Sequence, residues 1–151
     1  MLFRSEHGGK TYFLDADGSM VTGWKFLENG WYFFAADGSK QTGWIQSGGN
    51  WYYLKSNGHM VTGWQKLNGS WFYFYQNGAM ATGWVYLDGW YLFKENGVML
   101  TGWQQSGGNW YYLDKKGCAV TGWQYIGGAW FLFDGNGTLQ IGFHNEPGGA
   151  V

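Results

Sequence analysis

Apolar and polar positions alternate along this chain in short bursts, and the bursts recur. Gly43-Trp44-Ile45-Gln46-Ser47 leads through two glycines into Asn50-Trp51-Tyr52-Tyr53-Leu54. Runs of four or five residues, rich in aromatics and bounded by Gly, Asn and Asp, read as β-strands. Between paired runs lie Asn29-Gly30, Gly48-Gly49, Asn68-Gly69, Asp88-Gly89, Gly107-Gly108 and Gly127-Gly128. Such dipeptides tolerate the positive φ that two-residue hairpin loops demand. A second set of turns follows at Asp17-Gly18, Asp37-Gly38, Asn57-Gly58, Asn77-Gly78, Asn96-Gly97, Lys116-Gly117 and Asn136-Gly137. One unit therefore reads as strand, tight turn, strand, second turn.

The unit is a repeat. Thr-Gly-Trp ends at Trp24, Trp44, Trp64, Trp84, Trp103 and Trp123, spaced by 20, 20, 20, 19 and 20 residues. A degenerate copy, Ile141-Gly142-Phe143, follows 20 residues later. Each unit carries a second Trp, at Trp31, Trp51, Trp71, Trp90, Trp110 and Trp130, so the repeat uses all 12 Trp of the chain. The interval between the two Trp is seven residues except between Trp84 and Trp90, where it is six. That missing residue accounts for the 19-residue spacing and is expected to shift one ring out of register.

An isolated hairpin is marginally stable in water, so the units must stack. The expected fold is all-β: a β-solenoid of stacked β-hairpins from about seven 20-residue repeats. The chain reads as a single module over 1–151, with complete repeats over about 22–143, a partial capping repeat at 1–21 and a tail at 144–151. Alternation in the second strand sends Trp51 and Tyr53 one way and Tyr52 and Leu54 the other. One face can pack inside the stack; the other is a surplus.

Composition sharpens this picture. Aromatics make up 23% of the chain, with 28 Gly and one Pro, as many short strands and tight turns require. Charged residues are 13% and the net charge is −1, which leaves no basic footprint for nucleic acid. Cys118 is the only cysteine, which excludes an intramolecular disulfide and a cysteine metal site, and it reads as a small turn residue after Gly117. The segment from Met1 to His7 lacks the basic and apolar regions of a signal peptide. No apolar run approaches the roughly 20 residues of a membrane span. A protein working outside the cell would then be a mature form or a fragment. His7, His59 and His144 lie in separate units, the carboxylates sit mostly in turns, and no Gly-x-Ser-x-Gly elbow occurs. These features predict neither enzyme chemistry nor a cofactor.

The tryptophans carry the functional expectation. Two Trp and two or three further aromatics per unit overfill a thin hairpin stack, so some rings must edge an exposed groove. Clustered indole faces suit a quaternary ammonium, held by cation–π attraction, or a sugar ring stacked on an aromatic face. A sugar also needs polar partners for its hydroxyls. Gln46, Gln65, Gln104, Gln105 and Gln124 could supply them, but Lys25 and Val85 break the pattern. Composition leans toward the cation and leaves the sugar open.

The stretch from Gly63 to Phe74, with Asn77-Gly78-Ala79-Met80-Ala81-Thr82-Gly83-Trp84 after it, resembles the choline-binding (cell-wall-binding) repeat. The likeness runs from about Gly9 to Phe143. It implies a cell-wall-binding module that takes choline of teichoic and lipoteichoic acid into aromatic cages between successive repeats. It also implies anchoring of a surface protein or lysin, at the secreted or cell-surface location of the family. In the family, the resemblance implies, a cage joins the Gly-Trp ring and second Trp of one repeat to the Gly-Trp ring of the next. Carried over, Trp24 and Trp31 would meet Trp44, Trp44 and Trp51 would meet Trp64, and Trp64 and Trp71 would meet Trp84. Trp84 and Trp90 would meet Trp103, Trp103 and Trp110 would meet Trp123, and Trp123 and Trp130 would meet Phe143. Met20, Met60, Met80 and Met99 stand at the family's Met position, which Lys40 and Ala119 occupy in two units. Thr11 replaces the second Trp of the first unit, which predicts a cap without a site. Terminal hairpins of the family often pair, which makes the Phe143 end a candidate homodimer surface.

Two other repeat families share the hairpin pattern: glucan-binding repeats of glucosyltransferases and receptor-binding repeats of clostridial toxins. They favour other residues at one or both Trp positions and imply sugar binding as the alternative. A rigid spacer with buried, unresponsive Trp is the third reading.

Overall fold

A computed structural model describes residues 3–143 as fifteen β-strands, with no helix among the described residues. Strands β1 (Phe3–His7) and β2 (Lys10–Leu14) form the first hairpin, β3 (Gly23–Leu27) and β4 (Gly30–Phe34) the second, and β5 (Gly43–Ser47) and β6 (Asn50–Leu54) the third. The fourth is β7 (Gly63–Leu67) with β8 (Ser70–Phe74), and the fifth is β9 (Gly83–Tyr86) with β10 (Trp90–Phe93). The sixth is β11 (Gly102–Ser106) with β12 (Asn109–Leu113). In the seventh, β13 (Gly122–Ile126) and β14 (Ala129–Phe133) gain a third strand, β15 (Leu139–Phe143). The fold is the all-β array of stacked hairpins that the repeat predicts. It divides into two compact units, Met1–Gln65 with Tyr73–Met80, and Lys66–Phe72 with Ala81–Val151.

Each unit has its own core, drawn from the same repeat position. In the first unit the last residue of the second strand in hairpins two to four, Phe34, Leu54 and Phe74, is essentially inaccessible, while Leu14 of hairpin one is half-buried. In the second unit Phe93, Leu113 and Phe133 repeat the arrangement. Burying such a side chain contributes about 1.5–3 kcal/mol. The core thus lies on the Tyr52–Leu54 side of the strand. No Trp is among the buried residues, and nine Trp are more than a third exposed. The interior is filled by Phe and Leu, and the indoles are the surplus.

Stacking is fixed by backbone bonds as well as packing. In the first unit the Lys40 N–H donates to the Thr11 carbonyl (2.8 Å), that of Met60 to Trp31 (2.9 Å) and that of Met80 to Trp51 (2.8 Å). In the second, Met99 donates to Trp71 (2.9 Å) and Ala119 to Trp90 (2.8 Å). The loop after one hairpin is therefore pinned to the second Trp of the hairpin before it. This is why the Met position and the Trp position meet.

Two tight turns differ from the sequence expectation. In the second hairpin Leu27 pairs with Gly30, so the loop is Glu28-Asn29, at φ 48° and 66°, and not Asn29-Gly30. Strand register fixes which two residues turn, and Asn is among the residues that tolerate the left-handed region. In the fifth hairpin Trp90 pairs with Tyr86, leaving a three-residue loop, Leu87-Asp88-Gly89, without positive φ. The Tyr91 hydroxyl donates to the Asp88 carboxylate across it (2.7 Å). The Gly of Thr-Gly-Trp also has positive φ, 77° at Gly43. There the chain leaves the second turn and enters the strand, a bend a side chain would resist.

Candidate functional site

The two Trp of a hairpin stand on one face because the register puts them there. Trp44 lies opposite Tyr53, and Trp51 lies opposite Gln46 two positions along the same face. Their rings make a corner: Trp44 and Trp51 are 6.4 Å apart at 80°, Trp84 and Trp90 6.4 Å at 86°, and Trp103 and Trp110 6.3 Å at 80°. The six-residue interval does not displace Trp90. The deletion is absorbed at the hairpin end, where each strand is one residue shorter and the loop has three residues, and Trp84 lies opposite Leu92 as Trp44 lies opposite Tyr53.

In the first unit such a corner closes into a cavity of about 330 Å³ lined by Trp24, Trp31, Tyr52, Met60 and Asn77. The Trp24 and Tyr52 rings are 4.9 Å apart at 64°. The Trp24 indole N–H donates to the Ser47 hydroxyl at 3.3 Å, which fixes the ring plane. Trp31 supplies the outer wall and is 43% exposed. Met60 is held there by its backbone bond to Trp31, and its thioether crosses Gly78 so closely that a Cβ would collide with it. Gly78 therefore serves twice, as a turn residue at φ 87° and as the gap that admits Met60.

The second unit repeats the design. A cavity of about 250 Å³ is lined by Trp84, Trp90, Tyr111 and Asn136. Trp84 and Tyr111 are 4.7 Å apart, and the Trp84 N–H donates to the Ser106 hydroxyl at 3.0 Å. Ala119 takes the place of Met60 in the backbone bond. Neither set of lining residues includes a charged group. What the walls offer is aromatic faces, whose quadrupoles attract a cation.

The third ring of each cavity is one the sequence reading missed. It assigned Trp44 beside Trp24 and Trp31, and Trp103 beside Trp84 and Trp90; the structure places Tyr52 and Tyr111 there. The physical reason is alternation. Stacking sets the Trp face of one hairpin against the opposite face of the next, and Tyr52 points opposite to Trp51. Trp44 is turned onward instead, with Phe74 at 5.7 Å. Trp103 likewise meets Phe131 at 4.9 Å and Phe133 at 5.8 Å. A signal for these residues was present: Gln-Ser-Gly-Gly-Asn-Trp-Tyr-Tyr-Leu occurs identically at 46–54 and 105–113. Those two copies supply the Ser and the Tyr of the two cavities.

The remaining expected residues are distributed as follows. Trp64 stacks edge-on to Tyr73 at 5.2 Å. Trp71 is exposed and accepts the Met99 N–H on its carbonyl, as Trp51 accepts that of Met80. Trp123 and Trp130 are exposed in the seventh hairpin. Trp130 pairs along the backbone with Phe143, whose side chain lies outside the described residues. In the first hairpin Thr11 and Lys40 meet, and the Lys40 ammonium lies 5.8 Å from the Tyr32 ring centre and donates to the Asn57 carbonyl (3.2 Å). An internal cation occupies that position.

The geometry has counterparts among known proteins. The family model for the choline-binding repeat matches residues 21–63, 61–89 and 87–118, and the model for the cell wall binding repeat matches residues 3–20 and 121–139. The crystal structure of choline binding protein F from Streptococcus pneumoniae superposes with a TM-score of 0.87 at 33% identity, over 97% of this chain and 56% of that one. CbpJ from Streptococcus pneumoniae TIGR4 gives 0.85 at 31% identity, over 99% and 63%. A multimodular pneumococcal cell-wall endolysin from phage Cp-1, complexed with choline, gives 0.55 at 32% identity, over 78% and 36%. This chain spans less than two thirds of the length of each. No curated protein sequence matches it. Model matches over most of its length and structural likeness at one-third identity place the chain in the choline-binding repeat family.

Proposed function

We propose that this chain is a cell-wall-binding module that holds choline groups in aromatic cages, and that it anchors a surface protein or lysin to choline-bearing teichoic or lipoteichoic acid. The observation that carries this reading is the uncharged corner of two indoles closed by a Tyr, found in both units. A trimethylammonium head needs no hydrogen-bond donor, and aromatic faces alone can hold it. At about 330 and 250 Å³ the cavities lie at or below the lower end of the small-molecule range, roughly 300–1,000 Å³. That size suits a head group and not a stretch of polymer.

Each ring contributes about 0.5–2 kcal/mol to a cation, so three give roughly millimolar binding per site. Several such sites on a polymer bearing many cholines gain about 10²–10⁴ by avidity. Weak sites in a repeated array thus make a firm anchor. The module acts by binding and not by catalysis.

The test is a Trp fluorescence titration with choline, beside tetramethylammonium, ammonium and glucose. A saturable response to choline and tetramethylammonium alone, reduced in both Trp31→Ala and Trp90→Ala, is expected. Indifference to choline at tens of millimolar, with a response to a sugar or glucan, would replace this reading with glycan binding.

A further inference from the structure

The two cavities share a feature that an ammonium cage does not need. Each is lined by an Asn from a turn two hairpins further along the chain: Asn77 beside Trp24 and Trp31, and Asn136 beside Trp84 and Trp90. The two sites belong to separate compact units, so the coincidence arises twice. The corresponding turn position is Lys116 in one unit, so an amide is not obligatory in every copy.

The two Asn are not explained equally by the turns they sit in. The Asn77 Oδ1 accepts the Ala79 N–H at 2.9 Å, and this turn bond is repeated at Asn57 and Asn96. Asn136 is relieved of that task. Its turn is held by the Asp134 carboxylate, which accepts the N–H groups of both Asn136 and Thr138 at 2.9 Å. An Asn side chain at 136 is therefore not required to form the turn, yet Asn136 is among the residues that line the cavity. Other polar groups around the cavities are partly committed: the Trp24 and Trp84 indole N–H groups donate to Ser47 and Ser106, and the Tyr111 hydroxyl accepts from that of Thr138. The amide Nδ2 of each Asn, which the turn bonds do not use, stands among the lining residues as a donor beside the Tyr52 and Tyr111 hydroxyls.

Resting on the cage reading above, we propose that Asn136, and Asn77 in its own cavity, recognise the oxygen that choline carries two carbons from its nitrogen. The rings hold the trimethylammonium head, and the amide N–H donates to that oxygen, whether it is a free hydroxyl or the ester oxygen of a phosphate. The amide thereby separates choline from quaternary ammonium ions of the same size that lack the oxygen.

Propyltrimethylammonium has the shape of choline with a methyl in place of the hydroxyl, and it is the probe. Indole ¹⁵N–¹H signals of Trp84 and Trp90 report one site, and those of Trp24 and Trp31 the other. In the full chain, choline is expected to bind the Trp84/Trp90 site about 3- to 10-fold more tightly than propyltrimethylammonium, the range of one neutral hydrogen bond. Asn136→Ala is expected to abolish that preference at Trp84/Trp90, leave propyltrimethylammonium binding unchanged, and leave the preference at Trp24/Trp31 intact. Phosphocholine is titrated in parallel; a loss with phosphocholine alone would assign the contact to the phosphate. Equal loss for choline and propyltrimethylammonium makes Asn136 a wall and overturns the assignment. So does an unchanged preference. Failure of the wild type to bind any quaternary ammonium removes the cage reading itself, a result distinct from either.

Discussion

The second and fifth hairpins build nearly the same pocket from unequal material. Both offer two Trp, a Tyr from the next hairpin, a Ser-tethered indole and an Asn. The second hairpin adds Met60 and closes with a two-residue turn; the fifth has Ala119 at that position, strands one residue shorter and a three-residue turn. The rings nevertheless keep their places. The site is therefore set by strand register and by the backbone bond from the loop to the second Trp, and the side chain at the Met position adjusts it. Hairpin one shows how far the scaffold tolerates change: with Thr11 for Trp and Lys40 for Met, the strands still pair, the loop bond is kept and a Lys ammonium stands by the Tyr32 ring.

Removing an outer ring breaks the comparison most completely. Trp31→Ala should weaken choline binding at Trp24 by about 10-fold or more while leaving Trp84 unaffected, and Trp90→Ala should do the reverse. Site-resolved NMR titration separates the two. A joint loss would mean the sites are coupled.

Gly78 and Gly137 are equivalent turn residues, with φ of 87° and 86°. A Cβ at Gly137 approaches the Ala119 methyl at 3.2 Å, whereas one at Gly78 collides with the Met60 thioether. Both substitutions to Ala should cost about 1–2 kcal/mol for the left-handed backbone. Gly78→Ala should cost more in urea denaturation and also lower choline affinity at Trp24. Equal effects would show that Met60 moves aside freely.

Exchanging the residue at the Met position sharpens the contrast. A few atom contacts at about 0.1–0.2 kcal/mol each predict a change of about 3-fold. Met60→Ala should weaken the first site by that factor and Ala119→Met should strengthen the second, as read by titration of each.

The smallest effect concerns the Tyr that follows the second Trp in these hairpins. Burial raises the Tyr91 phenol well above its usual range, and the hydrogen bond and charge of Asp88 add to this. Burial, then the charge of Glu28, raises Tyr32 as well. The neutral phenol is the form the fold holds. The stabilisation is complete below about pH 10, where an unfolded Tyr begins to ionise, and is lost as pH rises beyond it. Thermal unfolding between pH 9 and 11 should show a shallower alkaline loss in Tyr91→Phe than in the wild type, and a smaller difference in Tyr32→Phe.

Much of this molecule was legible in order along the chain. The spacing of Thr-Gly-Trp, the turn dipeptides and the period-two alternation of Trp51, Tyr52, Tyr53 and Leu54 determined that hairpins form, how many, and which face of each second strand is apolar. These are local consequences of backbone sterics and side-chain alternation, which neighbouring residues set among themselves. Three things were decided only by tertiary structure. Register, not composition, chose Glu28-Asn29 for a turn and absorbed the missing residue near Trp90. Stacking of unlike faces chose Tyr52 and Tyr111 for the third ring and sent Trp44 toward Phe74. The turn two hairpins on delivered Asn77 and Asn136 to the cavities. The first depends on which residues pair across a hairpin, and the other two on which face of one hairpin meets which face of another, which is fixed by long-range packing that no local pattern encodes.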